Sequence, residues 1–349
     1  EAQKKYFESF FLIHDLRLWK FTVPLPSPGA YLLMILLFIN LLAGGIIRAR
    51  KNWRTPGILI SHLGILFMLL GGAVTYWHST SGYLRLYEGQ SSDEFVSYYD
   101  WELAISDTAS GTEHIIDHAH LVDIGPDGEQ DFQFEGIPFN LRVSRFLGNC
   151  GVAQDASSPE AVDGVVLEPR TPAKEAEQNE AGCYLTVTDK ANGGSLRGLV
   201  RYDLFRPTPP WTFKIADAEY AIELRHRRFK MDPPFTIRLD KFSRDLHPGT
   251  MMASNFSSDV TKIEDGGTRQ IHIKMNEPLR HHGYTFFQSS WGPQDAGPNE
   301  RLYSVFSVVR NPADQWPKWA CYVIAFGMTL HFMQKLVRHL RREKRSQQS

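Results

Sequence analysis

This sequence has few cysteines, almost no net charge, and none of the short motifs that mark common catalytic or metal centres. The 38 Lys and Arg residues are balanced by 39 Asp and Glu, leaving a formal charge of -1, so no bulk basicity points to nucleic acid. No C-x-x-C-H occurs, which excludes covalent attachment of c-type haem to this chain. A glycine-rich phosphate loop, an H-E-x-x-H pair and a nucleophile elbow are also missing. Of the three cysteines, Cys321 lies in an apolar run, while Cys150 and Cys183 flank an Ala/Glu/Pro-rich stretch. If that stretch is exported, these two could close a surface loop as a disulfide. Two unpaired thiols fit equally well, since spacing does not give a Cα separation.

The apolar residues are concentrated in three runs. The mean hydropathy of -0.29 suggests a soluble protein only because a long polar block separates the second run from the third. Residues 31–47 and 57–77 are each read as a transmembrane helix, and residues 316–335 as a third. At ~1.5 Å per residue, such helices cross the ~30 Å hydrocarbon core of a bilayer. The loop 48–56 carries Arg48, Arg50, Lys51 and Arg54, and the tail 336–349 is strongly basic; both are expected on the cytoplasmic side. The block 78–315 then falls outside the membrane on the opposite face. Residues 1–30 are read as an interfacial or external segment, with Phe7, Phe10, Phe11, Leu12, Trp19 and Phe21 suited to the headgroup region and His14 as a polar residue there. The chain opens on Glu1 rather than Met, so a longer gene product is expected.

The polar block has a β texture. Short runs at 83–87, 101–106, 139–146, 183–188, 220–224, 235–242, 269–275, 284–288 and 302–309 are rich in aromatic and β-branched residues and are punctuated by Gly, Pro, Asn and Asp. The expected fold class is therefore a membrane protein with α-helical spans and a large, mainly-β extracytoplasmic domain, a sandwich or open barrel. Residues 149–182 and 189–197 read as loops.

Two histidines lie within apolar spans at comparable depth, His62 and His331. An imidazole in a bilayer is costly and marks a candidate functional site. Neutral imidazoles on facing helices can ligate haem iron axially, so both are candidate ligands for a non-covalent b-type haem. An interhelical hydrogen bond is the plainer role for His62, and for His331 the headgroup region is within reach. His114, His118 and His120 are better explained by a surface strand and turn than by zinc, because no fourth ligand has suitable spacing. His281 and His282 could face a haem or a partner, but a turn explains them at least as well.

The stretch MNEPLRHHGYTFFQSSW at 275–291, followed by YSVFSVVRNPADQWPKW at 303–319, resembles the signature end of the ResB family, also called CcsB. PPFTIRLDKF at 233–242 and the Pro248-Gly249 turn fit the same family's extracytoplasmic domain, and TPGILISHLGILFMLLGGAV at 55–74 resembles its histidine-bearing span. The resemblance implies a component of System II cytochrome c maturation. Such a component helps to move haem across the membrane and to present it with apocytochrome c for covalent attachment. It implies a ResC/CcsA-type membrane protein as partner, with apocytochrome c, a thioredoxin-like thiol reductase and membrane lipid as further contacts. It also implies a fourth span before Tyr31, and His62 as the haem-binding residue. No catalytic acid, base or nucleophile carries over, so the chain is at most one part of a haem lyase complex. Two other readings stay open: an electron-transfer subunit holding b-type haem through His62 and His331, and a structural anchor that docks partner proteins.

Overall fold

A computed structural model describes residues 9–18, 21–53, 55–173, 176–203, 206, 208–215, 217–246, 253–293 and 300–347. Phe7, Trp19, Arg54 and the Pro248-Gly249 turn lie outside the described residues, as does the side chain of His14. In chain order the elements are β1 (Phe11–Leu18), β2 (Phe21–Pro28), α1 (Ala30–Asn40, running on as a π-helical segment Leu41–Ile47), α2 (Pro56–His78), β3 (Thr80–Tyr87), β4 (Ser91–Ser92), β5 (Glu94–Asp107), β6 (Glu113–Ile116), α3 (His118–Ile124), β7 (Glu129–Gln133), β8 (Phe139–Leu147), β9 (Cys150–Gln154) and β10 (Val165–Pro169). They continue with β11 (Gly182–Asp189), β12 (Ser195–Arg201), β13 (Trp211–Ile215), β14 (Ala218–Lys230), β15 (Thr236–Leu246), β16 (Ala253–Glu264), β17 (Gly267–Lys274), β18 (Leu279–His281), β19 (Tyr284–Gly292), β20 (Tyr303–Arg310) and α4 (Trp316–Ser346). Two compact units result, Glu1–Thr80 with Arg310–Ser349, and Ser81–Val309.

Among the described residues, the helical unit holds three helices long and apolar enough to cross a membrane, Ala30–Ile47, Pro56–His78 and Trp316–Ser346. Pro56 and Pro317 open the last two, where a missing N–H costs nothing because the first turn has no acceptor for it. The basic tail is helical through Ser346, a continuation of α4 beyond the apolar run. Ahead of α1, strands β1 and β2 form an antiparallel hairpin, Phe11 opposite Pro28 and Leu18 opposite Phe21. Pro24, Pro26 and Pro28 fall on alternate residues of a strand with a free edge, where a ladder can spare their N–H groups.

Small residues set the packing of α2 on α4. Gly57, Ser61, Gly64 and Gly71, spaced four, three and seven residues apart, fall along one face. A Cβ at Gly57 would lie 2.5 Å from the Gly327 carbonyl oxygen, and one at Gly64 would lie 2.7 Å from the Ile324 side chain. The Ser61 hydroxyl lies 3.0 Å from the Gly57 carbonyl and 3.3 Å from that of Ile324, a hydrogen-bonding position shared between the two helices. Phe67 stacks on Trp316 at 5.0 Å. Between lipid-soluble helices the drive comes from close van der Waals approach and such polar contacts, not from the hydrophobic effect.

The second unit is built on one eight-stranded sheet, order β13-β14-β5-β3-β20-β19-β18 with β6 paired to β5. Two four-stranded sheets, β12-β11-β8-β7 and β17-β16-β15-β4, share separate cores with its two halves. The first core joins Leu103, Ile105, Leu141, Val143, Leu185 and Ile222, closed by Leu121 of α3. The second joins Leu86, Ile237, Val260, Ile273, Phe286 and Phe306. Strand β5 belongs to both, with Phe95 in the second core and Trp101, Leu103 and Ile105 in the first. Its register with β14 shifts between His226 and Arg228, where the pair passes from one core to the other. A bulge there bends the strands and re-aims their side chains.

Each of the nine expected strand runs falls within a strand to within one residue, and the expected sandwich is present as two sandwiches on a common sheet. The stretch 149–182 is not all loop: β9 and β10 pair within it, Val165 opposite Gln154 and Pro169 opposite Cys150. Leu147, Cys150, Leu167 and Tyr184 form a small core beneath that hairpin. Cys150 and Cys183 are both buried free thiols in this structure, the second of the two alternatives. Burial pushes the Cys150 thiol up to about 11, so it stays protonated at neutral pH.

Candidate functional site

His62 sits six residues into α2, near the end of the span that follows the basic loop. Its Nδ1 lies 3.1 Å from the Gly45 carbonyl oxygen. Gly45 belongs to the π-helical segment at the C-terminal end of the first span, where helix carbonyls lack intrahelical donors. A carbonyl only accepts, so the contact puts the hydrogen on Nδ1 and leaves the lone pair on Nε2. Metal-binding histidines are commonly fixed in this way, one ring nitrogen held by a carbonyl and the other presented to the metal. Gly45 makes the approach possible, since a Cβ there would lie 2.6 Å from His62 Nδ1.

His331 lies on α4 against Gly57, whose added Cβ would meet the His331 backbone nitrogen at 2.6 Å. Its Nδ1 is buried without a hydrogen-bond partner. An orphaned ring nitrogen in a low-dielectric setting is costly, which singles this residue out. The two histidines are not brought together. At 3.6 residues per turn, His62 is rotated about 140° from Gly57, the position that meets His331. His62 therefore faces the first span, and His331 belongs to the α2–α4 contact.

In the β-rich unit the remaining histidines take distinct roles. His118 Nδ1 accepts from the Trp101 backbone N–H at 3.1 Å, and His120 Nδ1 lies 2.8 Å from Asp117, which caps α3. His226 stacks on Trp101 at 4.1 Å, is buried, and leaves its Nδ1 unpartnered. Burial pushes its pKa down to about 4, against a weaker upward pull from the Asp100 carbonyl. His281 ends β18 and His282 opens the turn to β19, close to the turn alternative, but they are not isolated turn residues. His281 Nε2 lies 2.8 Å from Glu264 Oε2, and His282 Nε2 lies 3.8 Å from the same atom. Lys262, almost fully buried, bonds the other oxygen of Glu264 and lies 3.2 Å from His281 Nε2. The hydrogen bonds from Lys262 and His281 hold the Glu264 carboxyl below its usual range, while burial pushes His281 down.

Nothing in the sequence singles out Gly45 as the partner of His62, or Lys262 and Glu264 as partners of the His281-His282 pair. Gly45 acts through its backbone. Lys262 and Glu264 reach the histidines only through sheet pairing, so no local spacing announces them.

The ResB-like family matches residues 217–299, a stretch that holds Lys262, Glu264, His281 and His282. The chain is 44% identical over 59 residues to the cytochrome c biogenesis protein CcsB of Crocosphaera subtropica, covering 16% of this chain and 13% of that protein. It is 32% identical over 83 residues to the proteins of the same name from Trichormus variabilis and a Nostoc species, covering 23% of this chain and 17% of each of them. The matches thus span less than a fifth of the length of these relatives. They bear out the resemblance to ResB and CcsB read from residues 275–291.

Proposed function

We propose that this chain is a ResB-like component of cytochrome c biogenesis, and that His62 binds haem as it passes through the membrane. The observation that carries this reading is the His62–Gly45 hydrogen bond. It fixes the tautomer and leaves Nε2 free as an axial ligand. Haem is cargo here, and the chain's own work is to hold and orient one imidazole. Because His62 and His331 face different neighbours, the second axial ligand comes from a ResC/CcsA-type partner rather than from His331.

In this reading the basic loop and the helical tail are cytoplasmic, and the β-rich unit lies on the opposite face, where apocytochrome c and a thioredoxin-like thiol reductase work. The edge strand β13 of the large sheet is the place for an extended apocytochrome segment to add.

The test is a reduced-minus-oxidised spectrum of the full chain purified with its membrane partner. We expect His62→Ala to lose at least tenfold in bound haem, and His331→Ala to lose less. Unchanged haem content and band positions in His62→Ala would sink the assignment. Deleting the gene should abolish all c-type cytochromes; loss of one respiratory activity alone would point instead to a dedicated electron-transfer subunit.

A further inference from the structure

We infer that Glu264, His281 and His282 form a binding site for a divalent transition metal, with zinc the best fit. The site lies at one end of the second sandwich, where the β16–β17 turn meets the β18–β19 turn. One ligand atom from each residue converges, all within 4.8 Å of one another. Ligands held 2.0–2.1 Å from a tetrahedral zinc lie about 3.4 Å apart. The two contacts to Glu264 Oε2, 2.8 and 3.8 Å, bracket that spacing, so small side-chain shifts bring the carboxylate to ligand distance of an ion shared with both imidazoles.

Consecutive residues of a strand point to opposite faces, so a His-His pair would ordinarily diverge. Here His282 has a φ of 48°, in the left-handed region that a non-glycine residue enters only at a cost. That backbone turn brings the two rings to a centroid separation of 3.9 Å. Phe235 packs against both, at 4.9 and 6.2 Å, and limits their motion. Lys262 takes the second oxygen of Glu264 and so aims the first at the imidazoles. Its positive charge 3.2 Å from His281 Nε2 works against a cation and weakens the site. Two imidazole nitrogens and one carboxylate oxygen suit zinc rather than magnesium or calcium, and leave a fourth position open.

The probe is metal alone, added to the chelator-treated full chain in detergent. Cobalt(II), read by its visible d–d bands, reports binding, and zinc then competes it away. We expect one saturable equivalent whose affinity falls at least tenfold in His282→Ala and in Glu264→Gln, is unchanged in His120→Ala, and rises severalfold in Lys262→Met. His282 is exposed, so its removal leaves the core intact; should His281→Ala fail to fold, His282→Ala and Glu264→Gln decide the matter. The absence of saturable cobalt bands in the parent chain, or parental affinity retained in His282→Ala and Glu264→Gln, would overturn the assignment. Because this readout needs neither haem nor partner, it is independent of the role proposed for His62.

Discussion

At the scale of single residues, the distinctive groups are imidazoles with one nitrogen committed and the other free. His62 gives Nδ1 to Gly45, whereas His226 is buried against Trp101 and Tyr202 with its Nδ1 unpaired. The second case has a pH consequence. His226 has a folded pKa of about 4 against an ordinary 6.5, so between these values the unfolded chain binds more protons than the folded one. Stability contributed by neutral His226 is complete above about pH 6.5 and is lost as pH falls towards 4. The shift corresponds to at most about 3 kcal/mol. Urea unfolding at pH 7 and pH 4.5 should show this loss in the parent chain, and a clearly smaller loss in His226→Gln. An equal loss in both would exclude His226 as the titrating group.

At the scale of elements, the α2–α4 contact depends on missing side chains. A Cβ at Gly327 would come within 2.6 Å of the Ser61 hydroxyl and 2.7 Å of the Gly57 carbonyl, and backbone cannot yield as a side-chain tip can. Gly327→Val should therefore push the helices apart and cost about 1–3 kcal/mol, the usual range for overpacking. Thermal unfolding in detergent measures this, with Gly72→Val as the control, since a Cβ there has open space. The spans, the nine strand runs and the isolation of His62 were legible in the sequence because each is a local pattern of hydropathy or alternation. The β9–β10 hairpin was not, because Pro, Glu and Gly around Cys150 and Val165 mimic a loop and its small core forms only with Leu147 and Tyr184. Nor was the Lys262–Glu264–His281–His282 cluster, which exists only once two turns meet.

At the scale of the whole molecule, the β-rich unit is two sandwiches joined by β5 and β14, which run through both cores, so the two are expected to unfold together. Ser258, Gln288 and Ser304 form a buried hydrogen-bonded cluster, with Ser258 Oγ 2.7 Å from Gln288 Oε1 and Gln288 Nε2 2.8 Å from Ser304 Oγ. Gln288→Leu would strip both hydroxyls of the amide and leave them only each other, Ser258 Oγ donating to Ser304 Oγ at 2.9 Å, at a cost of about 1–3 kcal/mol. Amide hydrogen exchange should then speed up by the same factor at the slowest sites of β11 as at those of β16. Faster exchange confined to β16 and its neighbours would mean that the two sandwiches open separately.

The π-helical segment Leu41–Ile47 has a consequence for how relatives of different length would compare. A π turn is what an α-helix becomes when it carries one residue too many, and such turns cluster at functional sites. A relative one residue shorter between Leu41 and Gly44 would look like a harmless gap in a sequence alignment, with every apolar residue still apolar. In three dimensions the lost residue would turn Gly45 by about 100° around its helix and carry its carbonyl away from the imidazole. Chain length in this short stretch, more than residue type, would then decide whether the histidine is held in the tautomer that offers Nε2.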